Sequence, residues 1–223
     1  MNLENFIWEP KWYDGFKETL IKEIFEDKIY EKFFEVEEGD VVFDIGASLG
    51  PFTYSVLHKN PSHVFAFEPS YEEFQTLVKN TRHGNVTQIN KGVSDKVGEF
   101  TFQYVFENSN ERKLYSTTFK KIIQDYNIKQ IDFLKTDCET GEYDIFNIEN
   151  LFWIKNNVRK ISGEWHLGEN WMKHKFEIFR DVYLRVFTNF KIISADGFDI
   201  TSRIWNDDFI PYYREIMVYI DNR

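Results

Sequence analysis

One short segment restricts the fold of this chain more than any other: an apolar run followed by a glycine-spaced turn. Residues 41–45 read Val-Val-Phe-Asp-Ile, which is typical of a strand buried on both faces of a parallel sheet. Gly46 lets the backbone turn sharply and approach a ligand closely. Pro51 suits the first position of a helix, because its missing N–H would be unpaired there. Ligands of doubly wound sheets bind beside such turns, and the candidate contacts here are Asp44, Gly46, Ala47, Ser48 and Gly50.

Similar apolar runs alternate with helix-like stretches along the rest of the chain. The predicted strands cover residues 63–67, 86–90, 131–136, 158–164, 190–195 and 213–220. The predicted helices cover residues 52–59, 72–80, 118–126, 142–154 and 168–187. This alternation builds βαβ units. We therefore expect an α/β, Rossmann-like fold with a seven-stranded, mostly parallel sheet and a C-terminal antiparallel hairpin.

The remaining segments are predicted to belong to one domain over residues 1–223. Apolar residues recur near helical spacing between residues 13 and 34, so residues 1–38 are expected to form an N-terminal helical extension. This extension could pack on the sheet edge, cover the site or form the surface of a homodimer. Residues 98–105 alternate like an extra strand, and the polar residues 106–116 are predicted to form a loop.

The glycine turn and the end of the second strand favour a nucleoside ligand. Dinucleotide sites prefer G-x-G-x-x-G, whose middle glycine makes room for a pyrophosphate, and Ser48 stands in that place here. Glu68 ends the second predicted strand, where a carboxylate can accept hydrogen bonds from both ribose hydroxyls. Ser94 and Asp95 follow the third strand, where an adenine-contacting loop would lie, although Asp95 is also an ordinary turn residue. S-adenosylmethionine (SAM) carries the ribose without a pyrophosphate.

Acidic residues crowd the end of the strand predicted at 131–136. Asp137, Glu139 and Glu142 follow it closely, and the predicted fold places them at the same cleft as Gly46. Crowded carboxylates raise one another's pKa, so some partner should offset their repulsion. The sulfonium of SAM, an acceptor hydroxyl, a lysine or a metal ion could each do so. Glu142 could instead begin the next helix.

The following strand ends in Gly-Glu-Trp-His at residues 163–166. Strand alternation points Glu164 and His166 to the same side. A histidine and a carboxylate beside a cleft can orient a hydroxyl or take its proton, so Asp137 or His166 is the predicted base, assisted by Glu164. Asp137, Glu164 and His166 could also bind a metal ion, but no ligand spacing requires it and no metal is predicted.

Charge and cysteine content limit the partners of the chain. The formal net charge is -10, and an acidic protein is repelled by phosphate backbones, which argues against a nucleic-acid acceptor. Cys138 is alone, so no intrachain disulfide can form, and a reducing compartment is expected. The N-terminus does not resemble a signal peptide, and no apolar stretch is long enough for a membrane span. These features predict a cytoplasmic protein.

Taken in order, these segments resemble the FkbM family of SAM-dependent methyltransferases. The family usually shows D-x-E-G-x-E, whereas Thr140 replaces that glycine here and Gly141 follows. The family usually has leucine-aspartate after its two threonines, whereas Phe119-Lys120 follows Thr117 and Thr118 here. Neither departure touches the glycine turn. The resemblance rests on DIGASLGPFT (44–53), AFEPS (66–70), GVSD (92–95), STTF (116–119), IDFLKTDCETGE (131–142) and GEWH (163–166).

The resemblance implies a class I methyltransferase fold, SAM as cofactor and O-methylation of a hydroxyl on a sugar, polysaccharide or other small natural product. It implies that Gly46, Ala47, Gly50 and Glu68 bind SAM and that Ser94 and Asp95 lie near the adenine. Asp137, Glu139, Glu164 and His166 would line the acceptor side. Three alternatives stay open: an NAD-dependent oxidoreductase or epimerase, a non-catalytic SAM-binding module, and a nucleic-acid methyltransferase that the charge disfavours.

Overall fold

The computed structural model describes residues 3–102, 112–206, 208 and 210–223. Its strands are β1 (Val41–Ile45), β2 (His63–Phe67), β3 (Val86–Ile89), β4 (Gly92–Val93), β5 (Gly98–Phe102), β6 (Arg112–Thr117), β7 (Ile131–Thr136), β8 (Val158–His166), β9 (Phe190–Ser194) and β10 (Glu215–Asp221). Seven of them form one sheet in the order β3-β2-β1-β7-β8-β10-β9. All its pairs are parallel except those of β10, which runs antiparallel to β8 and β9. The predicted sheet and its closing hairpin are confirmed.

The helices follow the predicted alternation, although several are shorter than predicted. They are α1 (Lys17–Leu20), α2 (Pro51–Val56), α3 (Tyr71–Thr81), α4 (Phe119–Asp125), α5 (Glu142–Ile145), α6 (Ile148–Asn157) and α7 (Asn170–Val182). The single helix predicted over 142–154 is wrong, because Asn147 interrupts it and its side chain caps α6 by accepting from the backbone N–H groups of Glu149 and Asn150. The helix predicted over 168–187 ends at Val182 and is followed by the 3-10 turn Leu184–Val186.

The N-terminal region is helical but irregular. Its 3-10 turns are Leu3–Asn5, Lys11–Gly15 and Ile29–Glu31, and a π-helical stretch covers Ile21–Glu26. Further 3-10 turns are Leu57–Lys59, Arg203–Trp205 and Ile210–Tyr212. Ile24 and Tyr30 join the buried cluster on the Val42 face of the large sheet. The N-terminal segment therefore covers one face of that sheet.

A second, three-stranded sheet has the order β4-β6-β5. The loop predicted over residues 106–116 is wrong from residue 112 onward, because β6 pairs antiparallel with β5 and parallel with β4. Along β6, Leu114 is buried and Tyr115 is exposed, so a short alternating pattern within a polar stretch marks the strand. Residues 103–105 of the predicted strand lie outside the described residues, as does most of the predicted loop.

The apolar core lies on both faces of the large sheet. Successive β1 residues point to opposite faces, so Phe43 packs in one buried cluster and Val42 in another. Phe179 of α7 belongs to the first cluster and Phe34 of the N-terminal region to the second. Within the described residues, no helix combines the length and apolar character that crossing a bilayer requires.

Candidate active site

The carboxyl ends of β1, β2, β7 and β8 meet at one edge of the sheet, and the glycine turn lies there. Gly46 has a φ of 79°, and a Cβ atom at this position would stand 1.7 Å from the carbonyl oxygen of Asp137. The backbone N–H groups of Gly46 and Ala47 both donate to the carbonyl of Phe67, at the end of β2. The turn is thus fixed against the ends of β2 and β7, and only glycine fits at position 46.

A buried ion pair supports the turn from the strand side. Asp44 in β1 lies beside Lys135 in β7, and the Lys135 Nζ is 3.1 Å from Asp44 Oδ1. The same ammonium donates to the carbonyl oxygen of Gly46 at 2.6 Å. Burial alone lowers the pKa of Lys135, but the charges of Asp44 and Asp137 outweigh it and raise that pKa. Asp44 therefore acts through Lys135 on the shape of the turn.

Lys135 was missed by sequence reasoning, although a signal for it existed. Both β1 and β7 are apolar runs, and each contains one charged residue near its carboxyl end. Opposite charges in two neighbouring buried strands are satisfied most simply by pairing with each other. Had the two strands been aligned by their carboxyl ends, Asp44 and Lys135 would have been predicted to pair.

Glu68 is held against the glycine turn and is 5% exposed. Its Oε2 accepts from the backbone N–H of Ser48 at 2.9 Å, and its Oε1 accepts from the backbone N–H of Ser70 at 2.7 Å. Burial and the nearby Glu73 carboxylate raise the pKa of Glu68 well above its usual range. The Tyr13 hydroxyl lies 2.5 Å from Ser48 Oγ and donates to Glu73. The N-terminal segment thus lies directly on the predicted cofactor turn.

The four predicted catalytic residues, Asp137, Glu139, Glu164 and His166, come together at the ends of β7 and β8. The His166 Nε2 is 3.3 Å from a Glu164 carboxylate oxygen and 3.7 Å from a Glu139 oxygen. The His166 Nδ1 is 3.9 Å from Glu142 Oε1. The sequence left Glu142 either in the acidic cluster or at the start of the next helix; it begins α5, and its side chain is fully buried beside this cluster.

Burial and charge shift the pKa values of this cluster in different directions. Burial, followed by the charge of Asp137, raises the pKa of Glu164 to about 7. Burial alone lowers the pKa of His166, but its hydrogen bond with Glu164 and the charges of Glu142 and Glu139 raise it to about 10. His166 is therefore an imidazolium at neutral pH, whereas Glu164 is poised between its two forms.

Two depressions open beside the cluster. The smaller, of about 70 Å³, lies between the glycine turn and the N-terminal segment. The larger is a groove of about 560 Å³ along the ends of β8, β9 and β10. Glu23 and Glu164 line both of them. Glu23 lies in the π-helical stretch, so the N-terminal segment contributes to the site in addition to packing on the sheet.

Five of the eight predicted cofactor residues are not in the lining of either depression: Asp44, Gly50, Glu68, Ser94 and Asp95. The Ser94 N–H donates to the carbonyl of Thr117, and the Ser94 hydroxyl donates to the carbonyl of Lys96. The backbone N–H of Asp95 is hydrogen-bonded to the Asp144 carboxylate of α5. Neither residue is in the lining of the smaller cavity, so their contact with an adenine stays a prediction.

The sheet order, the antiparallel β10 and the glycine turn after β1 together define a class I methyltransferase fold. A crystal structure of an rRNA methylase from Streptococcus thermophilus shares this fold with a TM-score of 0.51, covering 96% of this chain and 98% of that one. The identity is 8%, so this likeness concerns the fold alone. The chain belongs to the FkbM methyltransferase family: the sequence model described as "Methyltransferase FkbM domain" matches residues 44–185.

Two relatives match shorter stretches of the chain. The 31-O-demethyl-FK506 methyltransferase FkbM of Streptomyces tacrolimicus is 40% identical over 90 residues, which are 38% of this chain and 34% of that protein. The hexuronic acid methyltransferase AglP of Haloferax volcanii is 34% identical over 71 residues, which are 31% of this chain and 29% of that protein. Each match thus spans about a third of the relative's length. Both relatives are named as methyltransferases, in agreement with the family match.

Proposed function

We propose that the chain is a SAM-dependent O-methyltransferase that acts on a hydroxyl of a sugar or another small natural product. The observation that carries the proposal is the position of Glu164. Its carboxylate lines both the cavity beside the glycine turn and the larger groove, and its pKa of about 7 suits a proton acceptor at neutral pH. A cofactor on one side and an acceptor on the other would meet at this residue.

The residues at the turn fit SAM. Glycine at position 46 lets the turn lie directly against the backbone of Asp137, where a Cβ would collide. Glu68 ends β2, the place from which a carboxyl group reaches the hydroxyls of a ribose. SAM, when bound, supplies a methyl group on a cationic sulfonium, which suits the carboxylate-rich side formed by Asp137 and Glu164.

The N-terminal segment would act as a cover over the cofactor. Pockets that enclose small molecules measure about 300–1,000 Å³, whereas the cavity at the turn measures about 70 Å³. Leu20, Ile24 and Tyr30 form its outer wall. The segment therefore has to shift outward for the cofactor to enter, and it would exclude water from the bound cofactor when it returns.

The groove would hold the acceptor. Its lining combines five carboxylates with two lysines, so its field is negative. Carboxylates accept hydrogen bonds from sugar hydroxyls and attract amino groups, but they repel an acid. We therefore propose a neutral or amino-bearing acceptor, in contrast to the hexuronic acid named for the Haloferax relative. The charged residues of the lining are Glu23, Asp27, Glu164, Asp196, Glu215, Lys22 and Lys32.

Glu164 is the proposed general base, which revises the sequence-based choice of Asp137 or His166. An imidazolium with a pKa of about 10 has no free lone pair at neutral pH, so His166 cannot take the proton. Its role is to orient Glu164 through the 3.3 Å contact. Asp137 is oriented in turn by the Tyr30 hydroxyl, which donates to its Oδ2 at 2.6 Å. The carboxylate of Glu164 would accept the hydroxyl proton as the oxygen attacks the methyl carbon.

Calorimetric titration with SAM, S-adenosylhomocysteine and NAD tests the cofactor. We expect micromolar binding of the first two and none of NAD; binding of NAD instead would restore the oxidoreductase alternative. Transfer of a labelled methyl group to neutral, amino and uronic sugars then tests the acceptor. Transfer to the uronic sugars alone would contradict the proposed groove chemistry. SAM binding without transfer in any arm would favour a non-catalytic module.

A further inference from the structure

We propose that Asp137, Glu142 and His166 bind a divalent cation at the acceptor side of the site. One ligand atom from each residue lies within 4.8 Å of the others. A divalent ion holds nitrogen and oxygen ligands at about 2.0–2.2 Å, so small side-chain movements bring all three onto one ion. From the sequence, no metal was predicted, and Glu164 was only the possible third ligand beside Asp137 and His166. The structure places Glu142 in that position and Glu164 behind the histidine.

Glu142 provides the first independent reason for an ion. Its side chain is completely buried, and its Oε2 has no hydrogen-bond partner among the described residues. The other oxygen, Oε1, accepts from the backbone N–H of Cys138 at 2.7 Å, which fixes the orientation of the carboxyl group. Buried carboxylate oxygens without partners are rare because desolvation costs free energy. A bound cation would satisfy this oxygen.

His166 provides the second reason. Its Nδ1 is also buried without a hydrogen-bond partner in the described part of the chain, and it faces Glu142 at 3.9 Å. Its Nε2 lies 3.3 Å from Glu164 Oε1. Metal-bound histidines usually donate their second ring N–H to a carboxylate, which fixes the ring and makes the ligating nitrogen more basic. His166 has this arrangement before any ion is added, and an ion at Nδ1 would displace the proton that this nitrogen carries in the imidazolium.

Asp137 completes the set as an oriented carboxylate. The Tyr30 hydroxyl donates to its Oδ2 at 2.6 Å. Two carboxylates and one imidazole suit Mn²⁺ or Zn²⁺ better than Mg²⁺, because imidazole is a softer ligand than the oxygens Mg²⁺ prefers. Three protein ligands leave open positions. On the proposed O-methyltransferase function, an acceptor hydroxyl would take one of them, and the ion would lower the pKa of that hydroxyl for transfer of its proton to Glu164.

The test is metal binding by the full chain, independent of methyl transfer. Chelator-treated protein is titrated calorimetrically with MnCl₂, ZnCl₂ and MgCl₂, and bound Mn²⁺ is examined by electron paramagnetic resonance for coupling to a histidine nitrogen. We expect one ion per chain, with Mn²⁺ or Zn²⁺ bound more tightly than Mg²⁺. Glu142→Gln and His166→Gln should each weaken binding by on the order of 100-fold, and His166→Gln should abolish the nitrogen coupling.

His174→Ala is the matched control, because His174 forms an exposed pair with Glu177 at 3.3 Å and should leave binding unchanged. Circular dichroism and S-adenosylhomocysteine binding verify that each variant is folded. No stoichiometric site in the wild type, or equal binding by the folded ligand variants, would overturn the proposal. Metal binding without SAM binding would leave the metal site standing and refute the proposed function instead.

Discussion

The carbonyl oxygen of Asp137 stands 1.7 Å from the position that a Cβ atom on Gly46 would occupy. The contact joins the first strand's turn to the end of β7, so the predicted cofactor turn and the predicted catalytic cluster share one backbone surface. A substitution at either residue is therefore expected to alter both parts of the site.

Gly46→Ala should abolish binding of S-adenosylhomocysteine. The added methyl group collides with the backbone carbonyl of Asp137, which can move only together with the end of β7. In addition, an alanine at positive φ costs about 1–2 kcal/mol. Gly39→Ala is the control: its φ of 85° is similar, but nothing lies within 4 Å of the added Cβ. Urea unfolding should show a lower free energy of unfolding in both variants, with the larger decrease in Gly46→Ala. Equal decreases in the two variants, with S-adenosylhomocysteine binding retained in Gly46→Ala, would contradict this close contact.

Thr140→Gly should stabilise the protein. Thr140 replaces the glycine usual in this family's motif, yet it keeps a φ of 88°, which a β-branched residue rarely adopts. Relief of about 1–2 kcal/mol of strain, less the extra chain entropy of glycine, leaves a net gain of about 0.5–1 kcal/mol. Urea unfolding measures it. Thr140→Ala retains the positive φ and should gain less, so a larger gain for alanine would disprove the explanation.

Glu68→Gln should weaken S-adenosylhomocysteine binding by at least about tenfold, or about 1.4 kcal/mol. The two oxygens of Glu68 accept from the backbone N–H groups of Ser48 and Ser70, and they are also expected to accept from the ribose. Glutamine has only one acceptor oxygen, so it cannot make all of these hydrogen bonds. Calorimetry measures the change, with Glu72→Gln on the exposed side of α3 as the control. Unchanged affinity in Glu68→Gln would remove Glu68 from the cofactor site.

The rate of methyl transfer should rise with pH through about 7. Glu164 accepts a proton only as the carboxylate, and burial raises its pKa to about 7, so the active form is lost as the pH falls below that value. Turnover across pH 5.5–9 measures the rise. Glu164→Gln should lower kcat by about 10²–10⁴-fold and remove the inflection. An inflection that persists in this variant would assign the base to another residue.

Tyr30→Phe should destabilise the protein and lower turnover together. The hydroxyl of Tyr30 donates to Asp137, and its loss leaves a partly buried carboxylate oxygen without that donor, at a cost of about 1–3 kcal/mol. Tyr212→Phe, at a tyrosine that is 82% exposed, is the control and should change neither quantity. Thermal unfolding and kcat are the measurements. A Tyr30→Phe variant as stable and active as wild type would show that the N-terminal contact is dispensable.

The local pattern of the chain was enough to predict the main sheet. The bounds of β1, β2 and β7 match the predicted strands, because apolar runs between turn residues leave few alternatives. The glycine turn, Glu68 and the acidic strand ends could be located in the same way, since the carboxyl ends of parallel strands must share one edge. The ordered motifs were enough to identify the family, which the match over residues 44–185 confirms.

Tertiary contacts decided the rest. The Tyr30–Asp137 hydrogen bond joins residues 107 positions apart, and no local period predicts such a pair. The same holds for Glu142, whose place beside His166 depends on how α5 begins and how far β8 extends. Local sequence limits backbone conformation through steric effects and through the spacing of apolar side chains that helices and strands require. Which buried charges face one another, and what covers them, is decided only when the whole chain packs and each polar group must find a partner.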